Sequence, residues 1–273
     1  QTQKYPLGTD PIELERLQLQ HRLWSDAAHA LWRLAKIQPG SRVLDVGCGP
    51  GAASVDLAQL VTSNGHLLAV DESKSFIDFL ADHSKERGLS HVVTAVGDVQ
   101  DLAAVSALQR ASYDAAYARW VLCFTPKPEA VLAGVAHALK PGGVICIHDY
   151  FNYHIMTPAP RRASYTQVVN ATAKSWRDNG GDPDIVGRLP GLLFDAGFDV
   201  EHLAVHQRLA RPGDTMWHWA ATWWRSYTPK LVAMGYLTEE DRALFHREMD
   251  AMTFDRDFLV LPPVFEVMAR KRA

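Results

Sequence analysis

The chain has 273 residues, of which 47% are hydrophobic and 22% charged, with a formal net charge of −3. These proportions describe a globular protein with a substantial core and exclude an extended, low-complexity chain. A near-neutral chain without a basic stripe gives little footing for a nucleic-acid partner, and no run approaches the roughly 18 apolar residues of a membrane span.

The predicted elements alternate. Asp10-Pro11-Ile12-Glu13 reads as a capped helix start, with Pro at the first helical position, and opens a helix over 10–37. Leu14, Leu17, His21, Trp24, Ala28 and Leu31 recur at three to four residues and form its apolar face. Strands are predicted at 43–46, 66–70, 92–96, 113–118 and 144–148, separated by helices at 52–61, 74–87 and 128–139. Strands spaced by helices of this length imply crossover connections and a parallel sheet covered on both faces. Beyond residue 150 come helices near 165–176 and 189–196, a strand over 200–209, a Trp-rich helical region over 214–256 and a last strand at 265–269. The three cysteines, Cys48, Cys123 and Cys146, fit no zinc-ligand spacing, so no metal site is expected. They suit a reducing cytoplasm, and the N-terminus has no signal-peptide order.

Asp45-Val46-Gly47-Cys48-Gly49-Pro50-Gly51 lies between the first strand and its helix. Glycines there let the backbone turn sharply and approach a ligand, and the following helix offers free N–H groups. Alone, the loop also satisfies a dinucleotide fingerprint or a plain tight turn. Asp71 and Glu72 end the second strand, where an acid can hold ribose hydroxyls in either ligand reading. Asp45 before the glycines suits a cationic amine and would repel a pyrophosphate. Gly97-Asp98-Val99 follows the third strand, where an acid can read an adenine edge. Leu139-Lys140-Pro141-Gly142-Gly143 leads into the fifth strand.

With these four ordered motifs, residues 41–149 resemble class I S-adenosylmethionine-dependent methyltransferases. Tyr5-Pro6-Leu7-Gly8, Glu15-Arg16-Leu17 and Arg119-Trp120-Val121-Leu122 are similar to a natural-product subset of that family. The resemblance implies an α/β, Rossmann-like, seven-stranded and mostly parallel sheet. Its last strand would run antiparallel between strands five and six, and a helical lid would cover the site. It divides the chain into an N-terminal cap (1–40), a cofactor core (41–150), a substrate-side insertion with the sixth strand (151–210), a Trp-rich lid (211–258) and the closing strand (259–273). It implies S-adenosylmethionine as cofactor and S-adenosylhomocysteine as product. Gly47, Cys48 and Gly49 would flank the methionine moiety and Asp45 its amine. Asp71, with Glu72 beside it, would hold the ribose, while Gly97, Asp98 and Val99 would hold the adenine. Arg119 would contact the methionine moiety, and Tyr5 would reach its carboxylate.

The expected activity is methylation of O, N or C on a small aromatic or apolar molecule of secondary metabolism. In the lid, Met216, Trp219, Ala220, Trp223 and Tyr227 share one helical face, and Trp217 and Trp224 another. With Phe151, Tyr153 and His154 they would line an apolar cavity. If the acceptor must lose a proton, the candidate bases are His148, Asp149, His154 and His218. The competing readings are a cofactor-binding enzyme that catalyses a rearrangement, an RNA methyltransferase and an NAD-dependent dehydrogenase. Exchange of the lid between subunits of a homodimer is one arrangement the sequence permits.

Overall fold

A computed structural model of the protein describes residues 11–273. Tyr5 and the capping Asp10 lie outside the described residues. The first helix, α1 (Pro11–Leu34), buries Trp24, Ala27, Ala28, Leu31 and Trp32. There follow β1 (Arg42–Val46), α2 (Ala52–Val61), β2 (His66–Asp71), α3 (Lys74–Glu86), β3 (Val92–Val96), β4 (Tyr113–Arg119), α4 (Pro128–Ala138) and β5 (Leu139–Tyr150). The second half holds β6 (Thr157–Ala159), α5 (Ala163–Asp178), α6 (Leu189–Asp195), β7 (Phe198–His206), β8 (Leu209–Ala210), α7 (Thr215–Ala233), α8 (Glu239–Asp250), β9 (Phe258–Val260) and β10 (Val264–Lys271).

Seven strands form one sheet in the order β3-β2-β1-β4-β5-β10-β7. The pairs β1/β2, β1/β4, β2/β3 and β4/β5 are parallel. β10 runs antiparallel to both β5 and β7, between which it is inserted. This is the expected class I topology. The order reverses beside β1, so the carboxyl ends of β1 and β4 open a crevice there, where ligands of such sheets bind.

Two features depart from the expectation. β5 begins at Leu139, which pairs with Tyr113 of β4; the Lys140–Gly143 run bulges out across a register shift before Val144 pairs with Ala115. β6, β9 and β8 form a second, three-stranded antiparallel sheet whose strands are only two or three residues long. The Trp-rich region is two helices. α7 packs on α1, α5 and α8 of its own chain, which ties the lid to the sheet domain. Asp214 caps α7 by accepting from the Trp217 N–H at 2.6 Å, and Thr238 and Asp241 form a capping box on α8. No helix among the described residues is long and apolar enough to cross a membrane.

Candidate active site

Gly47, Gly49 and Gly51 all adopt positive φ (+66°, +55° and +84°), so the loop after β1 takes a path that side chains resist. Their surroundings differ. A Cβ on Gly47 would stand 2.6 Å from Val121 Cγ2, whereas one on Gly49 would meet nothing within 4 Å. Gly47 is therefore needed for packing, and Gly49 leaves room on the ligand side. Asp71 buttresses the loop: Oδ2 accepts from the Gly49 N–H at 2.8 Å and Oδ1 from the Ser73 N–H at 2.9 Å. Each oxygen keeps a lone pair. Burial raises the Asp71 pKa above its ordinary value.

Gly47, Cys48, Gly49, Asp71, Glu72, Asp98, Val99 and Arg119 all line one cavity of about 220 Å³. Asp98 accepts from the Gln100 N–H through Oδ1 at 2.8 Å. Glu72 stands at the exposed rim, its pKa raised by partial burial and by Asp71 and Asp98. Gly97 is not part of the wall. Its hydrogen position faces Val105, whose Cγ2 would lie 2.6 Å from a Cβ, so it serves packing below the site. Asp45 is 2% exposed and also stands behind the wall. The Ser54 hydroxyl donates to its Oδ2 at 2.6 Å, and burial pushes its pKa up to about 6.

Arg119 is held by a relay from α1. Its Nη2 lies 3.0 Å from His21 Nδ1, and His21 Nε2 lies 3.0 Å from Asp56 Oδ2. Burial lowers the His21 pKa, so the ring is neutral: it accepts at Nδ1 and donates from Nε2 to Asp56. The Arg119 Nη1 atom is buried without a hydrogen-bond partner at the cavity wall. A guanidinium with a free donor suits an anionic ligand group.

The other end of the cavity is aromatic. Trp219, Ala220 and Trp223 of α7 face it with Phe124, Tyr150, Tyr153, Met156 and Trp176. Trp176 is tilted against Tyr153 at 5.0 Å, and Trp120 stacks on Tyr150 at 6.0 Å between centroids. Gln20 accepts from Trp219 Nε1 at 3.1 Å, tying α7 to α1 across the opening. Trp120 has φ +53°, a strained conformation for a bulky residue, and is pinned by donating its N–H to His148 O at 2.9 Å. The sequence reading assigned no site role to Trp120, Tyr150, Trp176 or Gln20.

None of the four residues expected as bases lines the cavity. His148 is 2% exposed and lies among Tyr117, His206 and Glu266. Asp149 is fully buried, and its carboxylate accepts the Cys123 N–H at 3.1 Å and its neighbour Tyr150's N–H at 2.9 Å. His154 is exposed, its Nδ1 lying 3.0 Å from Asn170 Oδ1. His218 is exposed on α7, turned away from the cavity-facing Trp219 and Trp223. Phe151 is likewise exposed outside the wall.

Residues 37–186 match a family model described as a methyltransferase domain. The chain belongs to this methyltransferase family. It is 28% identical over 173 residues to sterol methyltransferase-like 2 of Botryococcus braunii, a match covering 60% of this chain and 42% of that protein. It is 38% identical over 110 residues to a ubiquinone biosynthesis O-methyltransferase of Xanthomonas axonopodis pv. citri (strain 306), covering 40% of this chain and 43% of the relative. These matches span less than half the length of either relative. Among solved structures, the [4+2]-cyclase SpnF superposes with a TM-score of 0.56 at 18% identity, covering 91% of this chain and 81% of that one, a likeness of fold. The family match takes in the glycine loop, Asp71, Asp98 and Arg119, and it stops short of α7, which supplies Trp219, Ala220 and Trp223 to the aromatic end of the cavity.

Proposed function

We propose that the protein transfers a methyl group from S-adenosylmethionine to a small apolar or aromatic acceptor, releasing S-adenosylhomocysteine. One observation carries this reading: a single cavity runs from Gly49, Asp71 and Asp98 to the aromatic chamber of Tyr150, Tyr153, Trp176, Trp219 and Trp223. The residues present fit the cofactor. The open side of Gly49 accommodates backbone-close contact, Asp71 has two oxygens for a ribose diol, and Asp98 Oδ2, which takes only a long 3.5 Å contact from Gln100 Nε2, has a lone pair for the adenine amino group. Arg119 Nη1 would meet the methionine carboxylate, and Asp45 would favour the amine from behind the loop. Bound there, the cofactor supplies an electrophilic methyl on a sulfonium.

The chain's own contribution is binding, orientation and exclusion of water. Trp219 and Trp223 close the chamber from above, and aromatic faces favour a nearby cation. Among the described residues, no imidazole lines the cavity, and its carboxylates Asp71, Glu72 and Asp98 sit at the cofactor end. Burial holds the Tyr150 and Tyr153 hydroxyls well above their ordinary pKa, so they remain protonated donors. This favours an acceptor that is already nucleophilic, an amine or an electron-rich carbon, over an unactivated hydroxyl. The reading includes a cytoplasmic place in secondary metabolism, and the three free thiols support the compartment.

The same lack of a base favours a second reading, a rearrangement run in the cofactor-filled cavity without loss of the methyl. The SpnF cyclase shares this fold. Incubation with S-adenosylmethionine carrying a deuterated methyl, in an extract of the source organism, decides between them. A labelled small molecule formed with S-adenosylhomocysteine supports methyl transfer. Acceptor conversion without label or S-adenosylhomocysteine supports the rearrangement.

A further inference from the structure

The β5-β10-β7 end of the sheet carries a second cluster of chemistry-bearing side chains, outside the cavity wall. Glu266 of β10 pairs in register with His148 of β5, so the two project from the same face. His206 of β7 pairs with Val264, two residues before Glu266, and so shares that face as well. The face lies beneath α1: the Trp24 ring meets the His206 ring edge-on at 6.4 Å. Three adjacent strands thus converge two imidazoles and a carboxylate, whose ligand atoms all lie within 4.8 Å of one another.

One separation sets this cluster apart from an ordinary hydrogen-bonded group. His148 Nε2 is 3.5 Å from Glu266 Oε2, has no hydrogen-bond partner, and belongs to a ring only 2% exposed. A buried ring nitrogen aimed at a carboxylate yet short of bonding it is a ligand atom without a ligand. In a tetrahedral site with metal bonds of about 2.0–2.1 Å, ligand atoms stand about 3.3 Å apart, close to this spacing. His206 Nε2 is 2.8 Å from the same Oε2, so that contact opens by about half an ångström on metal binding.

The surrounding contacts orient the ligands as outer partners do in metal sites. His148 Nδ1 lies 3.3 Å from Tyr117 Oη; with the proton on Nδ1, Nε2 is free to ligate. Glu266 Oε1 lies 2.7 Å from His202 Nε2, which leaves Oε2 for the centre.

We propose that His148, His206 and Glu266 bind a divalent transition-metal ion of the zinc class, which clasps β5, β10 and β7 under α1. Two imidazoles and one carboxylate match that class and are a poor set for calcium or magnesium. The site is structural, because none of the three ligands lines the cavity. The proposal is independent of the methyl-transfer reading.

The test is calorimetric titration of untagged, chelator-stripped protein with zinc chloride, paired with a melting curve and the visible spectrum with cobalt(II). One equivalent should bind with a rise in melting temperature, and cobalt should give the intense absorption of a tetrahedral site. His206→Ala, at the half-exposed rim, should weaken binding by about tenfold or more, as should His148→Gln if it folds. His218→Ala, which removes an exposed imidazole elsewhere, should change nothing. Absence of saturable zinc binding, or equal binding by His206→Ala and the native chain, overturns the proposal.

Discussion

Gly49→Ala separates a glycine kept for a ligand from one kept for the fold. At φ +55° an alanine pays the left-handed penalty, but its Cβ meets nothing within 4 Å. The penalty of about 1–2 kcal/mol is partly offset by a smaller unfolded-state entropy, worth roughly 0.4–1 kcal/mol. The net loss, at most about 1.5 kcal/mol, lowers the melting temperature by a few degrees at this size. The new methyl, however, occupies the space the cofactor needs, and crowding of this kind costs about 1–3 kcal/mol, or roughly five- to 150-fold in affinity. Gly40→Ala is the control: its φ is +87°, its Cβ also meets nothing within 4 Å, and it does not line the cavity. Calorimetric titration with S-adenosylmethionine, alongside melting curves, should show similar stability losses but weakened binding only for Gly49→Ala. Equal affinity in both variants and the native chain refutes the reasoning. Gly47→Ala should instead lose markedly more stability, because its Cβ would clash with Val121.

Asp71→Ala removes the acceptor for two ribose hydroxyls, each bond to a charged group being worth about 1.5–3 kcal/mol. Cofactor affinity should fall by about a hundredfold or more, and unchanged affinity would defeat the ribose assignment. His21→Ala frees the Arg119 guanidinium from its relay to Asp56 and should raise the cofactor dissociation constant with little effect on acceptor binding at saturating cofactor. Because burial lowers the His21 pKa, protonation sets in only below its ordinary 6.5. The charged ring would then repel Arg119, so native affinity should fall as pH drops below that range, and a flat profile would count against the relay. Asp45, with its pKa at about 6 against an ordinary 3.8, binds more protons folded than unfolded between those values, so its contribution to stability falls as pH rises through that window. The full cost above it is roughly 3 kcal/mol. Asp45→Asn should remove that part of the pH dependence in denaturant titrations at pH 4 and 7, while weakening cofactor binding at pH 7.

The half of the fold from β1 to α4 was legible because its signals are local. Apolar strand runs, the glycine loop and Pro128 at a helix start each act within a few residues. The antiparallel insertion of β10 was legible only through the resemblance. Strand periodicity carries no partner identity, and Phe265–Ala269 could have paired elsewhere. The small β6-β9-β8 sheet left no trace, since two- or three-residue strands have no period to read.

The site divided along the same line. Gly49, Asp71, Asp98 and Arg119 sit on loops whose direction follows from the strand ends, and the structure brings them to one wall. The candidate bases were chosen by proximity in sequence to β5 and the lid, but facing is a tertiary property. Side chains alternate along β5, so His148 turns under α1 and Asp149 toward the loop at Cys123. On α7 the wall takes Trp219 and Trp223 and leaves His218 in solvent. Tyr150 at the end of β5 and Trp176 near the end of α5 join the chamber across 26 residues of sequence, and neither carries a local signal of its role.

The most direct test of the account is calorimetric titration of the native chain with S-adenosylmethionine, repeated with the Asp71→Ala variant. The account predicts saturable binding of one molecule per chain by the native protein and a marked loss in the variant. Failure of the folded native chain to bind would contradict it.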